Sequence, residues 1–172
     1  PLRLARELDR AILDLRQNQP DLGLWVLKTQ GDIASVLQLD DFLSKNKSDW
    51  FVRETVGYLR RVFSRLDVSS RSIFAIVEPG SCFAGTLAEL MFAADRSYML
   101  EVDNGPTIAL SELNFGIYPM ASGLSRLQAH YCGDVPALEK NQLFETAKAK
   151  SPGLVTSTPV DIHWEDGVRL PI

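Results

Sequence analysis

Residues 72–95 read Ser72-Ile-Phe-Ala-Ile-Val-Glu-Pro-Gly-Ser-Cys-Phe-Ala-Gly-Thr-Leu-Ala-Glu-Leu-Met-Phe-Ala-Ala-Asp95. The apolar run Ile73–Val77 predicts a buried strand, Pro79-Gly80 a turn, and the second apolar run from Gly85 a helix over about residues 84–94. A strand, a glycine-bearing turn and a helix start together aim backbone N–H groups at one point, where a forming negative charge is stabilised. Glu89 is the one carboxylate inside this apolar helix and is read as lying in its first turn. A carboxylate on a buried helix needs a reason, and proton chemistry beside an oxyanion is one.

Outward from this stretch, helices and strands alternate. Leu4, Leu8, Ala11, Ile12 and Leu15 predict an amphipathic helix over 2–17, which Gln19-Pro20-Asp21-Leu22-Gly23 breaks. Leu24–Lys28 reads as a short strand, and Asp32 as the N-cap of a helix over 33–44. Val52, Val56, Leu59, Phe63 and Leu66 step by four and three, the mark of a helix over 50–66 with Arg53, Arg60, Arg61 and Arg65 off the apolar stripe. Residues 97–101 and 107–110 read as strands around the turn Asp103-Asn104-Gly105-Pro106. Residues 113–120 read as a loop, 122–131 as a helix, and the tail from Ser151 as surface strand or loop. The alternation predicts an α/β layered domain with a mostly parallel sheet and flanking helices, a single domain over residues 1–172. The turns after the first two strands fall at carboxyl ends, so they are expected to face one pocket.

Composition sets bounds on function. The chain has 172 residues, 45% hydrophobic and 23% charged, with a formal net charge of −4. This is the composition of an ordinary globular domain and argues against wholesale binding to nucleic acid or anionic membranes. No apolar run approaches the roughly 20 residues of a membrane span. Cys82 and Cys132 make no disulfide framework and suit a reducing, cytoplasmic compartment. The start, Pro1-Leu2-Arg3-Leu4, has neither an initiator Met nor a signal-peptide pattern, so the chain is expected to be a fragment of a longer protein. Neither His130 nor His163 sits in a metal-ligand pattern, and no metal is expected.

The segments Gly85 to Asp95, Pro106 to Pro119, Gly123 to Leu127 and Ala147 to Val155 together resemble the crotonase (enoyl-CoA hydratase/isomerase) superfamily. Gly85-Thr-Leu-Ala-Glu89-Leu-Met-Phe-Ala-Ala-Asp95 resembles its Gly-x-x-x-Glu-Leu-x-x-x-x-Asp helix. Pro106 to Pro119 resembles its Phe-x-x-Pro-Glu-x-x-x-Gly-x-x-Pro segment, with Glu112 at the glutamate. Gly123-Leu-Ser-Arg126-Leu127 resembles its Gly-x-x-Arg-Leu helix, and Ala147 to Val155 its Ala-x-x-x-Gly-Leu-Val segment. The order and spacing of these pieces span most of the chain. The resemblance implies the layered β-β-α spiral of that superfamily, an acyl-CoA substrate with coenzyme A as part of it and no separate cofactor, and a homo-oligomer. The wording of Glu78 to Thr86, Trp25 to Asp32, Phe51 to Thr55 and Ser111 to Gly116 is similar to one branch. That branch opens the non-aromatic ring made from benzoyl-CoA in aerobic benzoate breakdown, releasing formate and an aliphatic semialdehyde CoA thioester.

The resemblance also implies site roles. Glu89 and Glu112 are the expected acid/base pair, without an assignment of which is acid and which is base. The thioester oxyanion is expected at backbone N–H groups of Thr86 or its neighbour Gly85, and of Gln30 or Gly31. The turn before Gly85 is two residues longer than in the hydratases, and Gln30-Gly31-Asp32 stands where the family has Ala-Gly-x-Asp. Cys82, Phe83, Tyr118 and Lys28 are candidates for substrate contact; Cys82 also reads as a buried structural thiol, Tyr118 as core, and Arg126 as a structural ion pair. The alternatives are a generic enoyl-CoA hydratase or isomerase, and a non-catalytic acyl-CoA-binding or assembly segment.

Overall fold

The computed structural model of the chain describes residues 1–138, 140–160 and 164; His163 lies outside them. Helix α1 (Leu2–Asn18) leads into strand β1 (Leu24–Leu27), helices α2 (Ile33–Lys45) and α3 (Trp50–Asp67), strand β2 (Ser72–Val77), helix α4 (Gly85–Phe92) and strand β3 (Arg96–Met99). Strand β4 (Thr107–Ala109), a 3-10 turn over Glu112–Phe115, helix α5 (Arg126–His130), strand β5 (Leu143–Glu145) and helix α6 (Thr146–Lys150) follow.

Strands β1, β2 and β3 form a parallel sheet in that order, with Trp25 opposite Ile73 and Phe74 opposite Arg96. Parallel neighbours need crossovers, and α2–α3 and α4 supply them. Residues 156–160 run beside β3, where the Met99 N–H donates to the Ser157 carbonyl and the Glu101 N–H to that of Pro159. Of the tail expected as surface strand or loop, residues 156–160 are therefore a strip along the β3 edge. Strands β4 and β5 pair antiparallel with each other, a second small sheet that the alternating pattern did not predict.

The helix starts follow local chemistry. Asp32 caps α2 by accepting from the Ala34 and Ser35 N–H groups, and Asp49 caps α3 in the same way at Phe51 and Val52. Helix α5 is shorter than the predicted 122–131. Gly123 takes a left-handed φ of +87°, and Ser125 and Gln128 close a reciprocal capping box that begins the helix at Arg126. The expected loop after Ser111 begins as a capped 3-10 turn. Glu89 is the fifth residue of α4, at the start of its second turn and not in its first, because the helix begins at Gly85.

The core lies between the sheet and the α1–α3 pair. Ala5 and Ile12 pack with Leu59, Val62 and Phe63 of α3, and with Ile73, Ala75 and Val77 of β2. Phe63 is fully buried and stands edge-on to the Tyr118 ring, 5.3 Å between centroids, with the Arg126 guanidinium 5.6 Å from its own centroid. Helix α4 is apolar nearly all round and buried, the signature of a central helix. Phe63→Ala should cost about 3–5 kcal/mol, read as a lowered urea midpoint with near-unchanged far-UV circular dichroism at zero denaturant.

Candidate active site

The turns after β1 and β2 meet at the carboxyl edge of the sheet, as their position predicts. The Gly31 N–H donates to the Gly80 carbonyl at 3.1 Å, and the Cys82 N–H to Thr29 Oγ1 at 3.0 Å. Lys28 Nζ pairs with Glu78 Oε1 at 2.9 Å, and Lys28, Thr29, Gln30, Glu78, Pro79 and Gly80 line a cleft of about 360 Å³. Cys82 is buried beside Gly31, where an added Cβ would stand 3.2 Å from its sulfur. Phe83 is wholly buried in the main core.

The first turn of α4 carries a carboxyl that the sequence reading missed. Asp40, on α2 and 1% exposed, accepts from the Thr86 N–H at 2.7 Å, from Thr86 Oγ1 at 2.5 Å and from Ser111 Oγ at 2.6 Å. Because the Thr86 hydroxyl gives its proton to Asp40, the buried Tyr118 hydroxyl, 3.1 Å away, is the donor to Thr86. Burial pushes the Asp40 carboxyl above its ordinary range, against the Ser111 and Thr86 hydrogen bonds. Burial likewise raises the Tyr118 hydroxyl. Gly85 makes the approach possible: its φ is +44°, and a Cβ there would lie 1.9 Å from Asp40 Oδ2. Among the expected oxyanion donors, Thr86 and Gly31 already donate to protein oxygens. The Gly85 and Gln30 N–H groups have no acceptor among the described residues.

Glu89 sits one turn beyond Gly85, also 1% exposed. Its Oε1 accepts from Asn114 Nδ2 at 2.7 Å, and its Oε2 from the Arg126 guanidinium at 3.0 Å. Asn114 donates as well to the Gly85 carbonyl and accepts from the Ser111 N–H, so one amide ties α4 to the 3-10 turn. Arg126 pairs twice with Asp67 at the end of α3, 2.9 and 2.7 Å, and donates to the Tyr118 carbonyl. Burial pushes Glu89 up to about 7, against the pull of Arg126 and Asn114.

Glu112 opens the 3-10 turn and is exposed; its Oε2 accepts from Ser44 Oγ at 3.0 Å. It borders a mainly apolar cleft of about 150 Å³ between α2, α3 and the turn, lined by Leu43, Val52, Val56, Leu113 and Ile117, with Lys47 and Arg53 at its edge. The two expected glutamates thus stand on adjoining elements, one inside the protein and one at its surface. Asp40, Ser44, Ser111 and Asn114 join them and were not read from the sequence. One signal was available: Ile33, Val36, Asp40 and Leu43 follow the helical stripe of α2, which puts an acid on its inward face.

The arrangement defines a fold class. An enoyl-CoA hydratase from Bacillus halodurans superposes on 98% of this chain and 68% of its own, with a TM-score of 0.68 at 16% identity. One from Geobacillus kaustophilus covers 98% of this chain and 63% of its own, with a TM-score of 0.64 at 18% identity. The chain has the crotonase fold. No family model matches it. In sequence it is 51% identical over its whole length to the benzoyl-CoA-dihydrodiol lyase of Aromatoleum evansii, and it spans about a third (32%) of that protein. The chain is thus similar in sequence to part of that lyase and in fold to the enoyl-CoA hydratases. Among the described residues no helix is long and apolar enough to cross a membrane.

Two outcomes test this geometry. Gly85→Ala drives a methyl group into Asp40 and forces a left-handed alanine, so it should cost roughly 2 kcal/mol or more; adding Asp40→Ala should return part of that loss in urea titrations. Glu89 binds its proton more tightly folded than unfolded, where its ordinary value is 4.5. Its contribution is therefore fully present below about 4.5 and is lost as pH rises toward about 7. Glu89→Gln should flatten that fall, by up to roughly 3 kcal/mol, when unfolding is measured at pH 4.5 and 8.

Proposed function

We propose that the full-length protein containing this chain opens the oxygenated ring made from benzoyl-CoA, releasing formate and an aliphatic semialdehyde CoA thioester. The observation that carries this reading is the 51% identity to benzoyl-CoA-dihydrodiol lyase over the whole chain. The site chemistry supports it. Glu112 borders an apolar cleft suited to a ring, and Lys47 and Arg53 at the edge favour oxygen substituents there.

In this reading the thioester oxygen takes its developing charge to the backbone N–H groups of the α4 turn and of the Gln30–Gly31 turn. Glu112, the solvent-facing carboxylate, deprotonates a water that attacks an epoxide carbon as that carbon's C–O bond breaks, the freed oxygen takes up a proton, and a second water is consumed when the ring carbon–carbon bond cleaves and formate leaves. Glu89, raised to about 7 by burial, gives a proton from the interior side, and Arg126 stabilises the carboxylate left behind. Coenzyme A enters as part of the substrate, and Lys28, which lines the cleft at the Gln30 turn, is a candidate contact for it. The reaction needs no further cofactor on this reading, and its compartment is the cytoplasm.

The test is formate release by the full-length protein from 2,3-epoxybenzoyl-CoA. Glu112→Gln and Glu89→Gln should each lower kcat by about a hundredfold or more; near wild-type turnover in either would remove that residue's role. Crotonyl-CoA hydration assayed beside it separates the ring opener from a general hydratase: hydration without ring opening would overturn the reading.

A further inference from the structure

Helix α2 reaches both ends of the segment that presents Glu112. Asp40 Oδ2 accepts from Ser111 Oγ at 2.6 Å, and Ser111 is the residue that caps the 3-10 turn. Ser44, one helical turn beyond Asp40 on the same face, donates to Glu112 Oε2 at 3.0 Å. The Asp40 carboxyl simultaneously holds the Thr86 N–H and hydroxyl, so one group spans the start of α4 and the start of the 3-10 turn. Asp40 is 1% exposed and makes no ion pair among the described residues, whereas the buried Glu89 and the part-buried Asp67 share Arg126. Leaving a carboxyl buried without a cation is costly. An apolar contact would join α2 to α4 without that cost, so a residue kept here for packing alone has no need of charge.

We propose that α2 is a two-point clamp on the catalytic segment, with Asp40 and Ser44 as positioning residues. Asp40 fixes the cap of the 3-10 turn against the α4 turn, which sets the distance between Glu112 and the thioester oxygen. Ser44 then holds one carboxylate oxygen of the exposed Glu112 and leaves the other to face water. Without these bonds an exposed glutamate samples many rotamers, and only a fraction of them is productive. The clamp rests on the ring-opening reading and adds residues to it that touch Glu112 or its cap.

The experiment is steady-state kinetics of formate release by the full-length protein, with thermal melting of each variant. Ser44→Ala should lower kcat about tenfold while KM and the melting temperature stay near wild type. Ser44→Thr, which keeps the hydroxyl, should recover kcat to within about twofold. Asp40→Asn keeps the shape and one acceptor oxygen and should lower kcat more than Ser44→Ala. Should Asp40→Asn fail to fold, the Ser44 pair decides the question, since that half-buried side chain is outside the core. Wild-type kcat in Ser44→Ala, a change confined to KM, or no recovery in Ser44→Thr would overturn the clamp alone. A wild-type protein that releases no formate would overturn the ring-opening reading and the clamp with it.

Discussion

The buried Arg126 guanidinium is the interaction on which the rest of the site depends. It holds Asp67 at the end of α3, Glu89 in α4 and the carbonyl of Tyr118, and it lies over the Phe63 ring. A cation at 1% exposure is tolerable only when its donors are filled and its charge is met. Two carboxyls and a carbonyl do this, and in doing so they set α3, α4 and α5 relative to one another. Burying Glu89 in the same place is possible because Arg126 is there. The result is an acid whose proton is held up to about 7 and whose conjugate base has a cation waiting.

Around that pair the site is a chain of shared hydrogen bonds rather than a row of independent residues. Asn114 links Glu89, the Gly85 carbonyl and the Ser111 N–H; Ser111 links Asn114 to Asp40; Asp40 links Ser111 to Thr86. Such networks fix geometry when every member is satisfied. Gly85 is the point where this closeness is bought in backbone conformation, because only a residue without Cβ leaves room for the Asp40 oxygen. The elements with proposed chemical roles, the α4 turn and the Glu112 segment, are therefore braced from a helix that carries no proposed acid or base of its own.

Much of the fold was legible in the chain. The step of four and three through Val52, Val56, Leu59, Phe63 and Leu66 gave α3 to within a residue at its end, and Asp32 gave the start of α2. The run Ile73–Val77 followed by Pro79-Gly80 located β2 and the turn beyond it. These signals are local: periodicity, capping and turn chemistry act over a few residues. The antiparallel pairing of β4 with β5 was not legible, because Leu143–Glu145 is three residues long and its partner lies far away in sequence.

The sequence by itself determined the alternation of elements, the meeting of the two carboxyl-end turns, and the two glutamates worth asking about. Only the tertiary structure decided what surrounds them. That Glu89 faces Arg126 and Asn114 while Glu112 faces Ser44 depends on partners 25 to 68 positions away. That Asp40 reaches the Thr86 N–H depends on a crossing of α2 and α4 separated by 46 positions. Burial and hydrogen-bond partners are properties of such crossings, and they set the charge and reach of a carboxyl more strongly than its neighbours in the chain do.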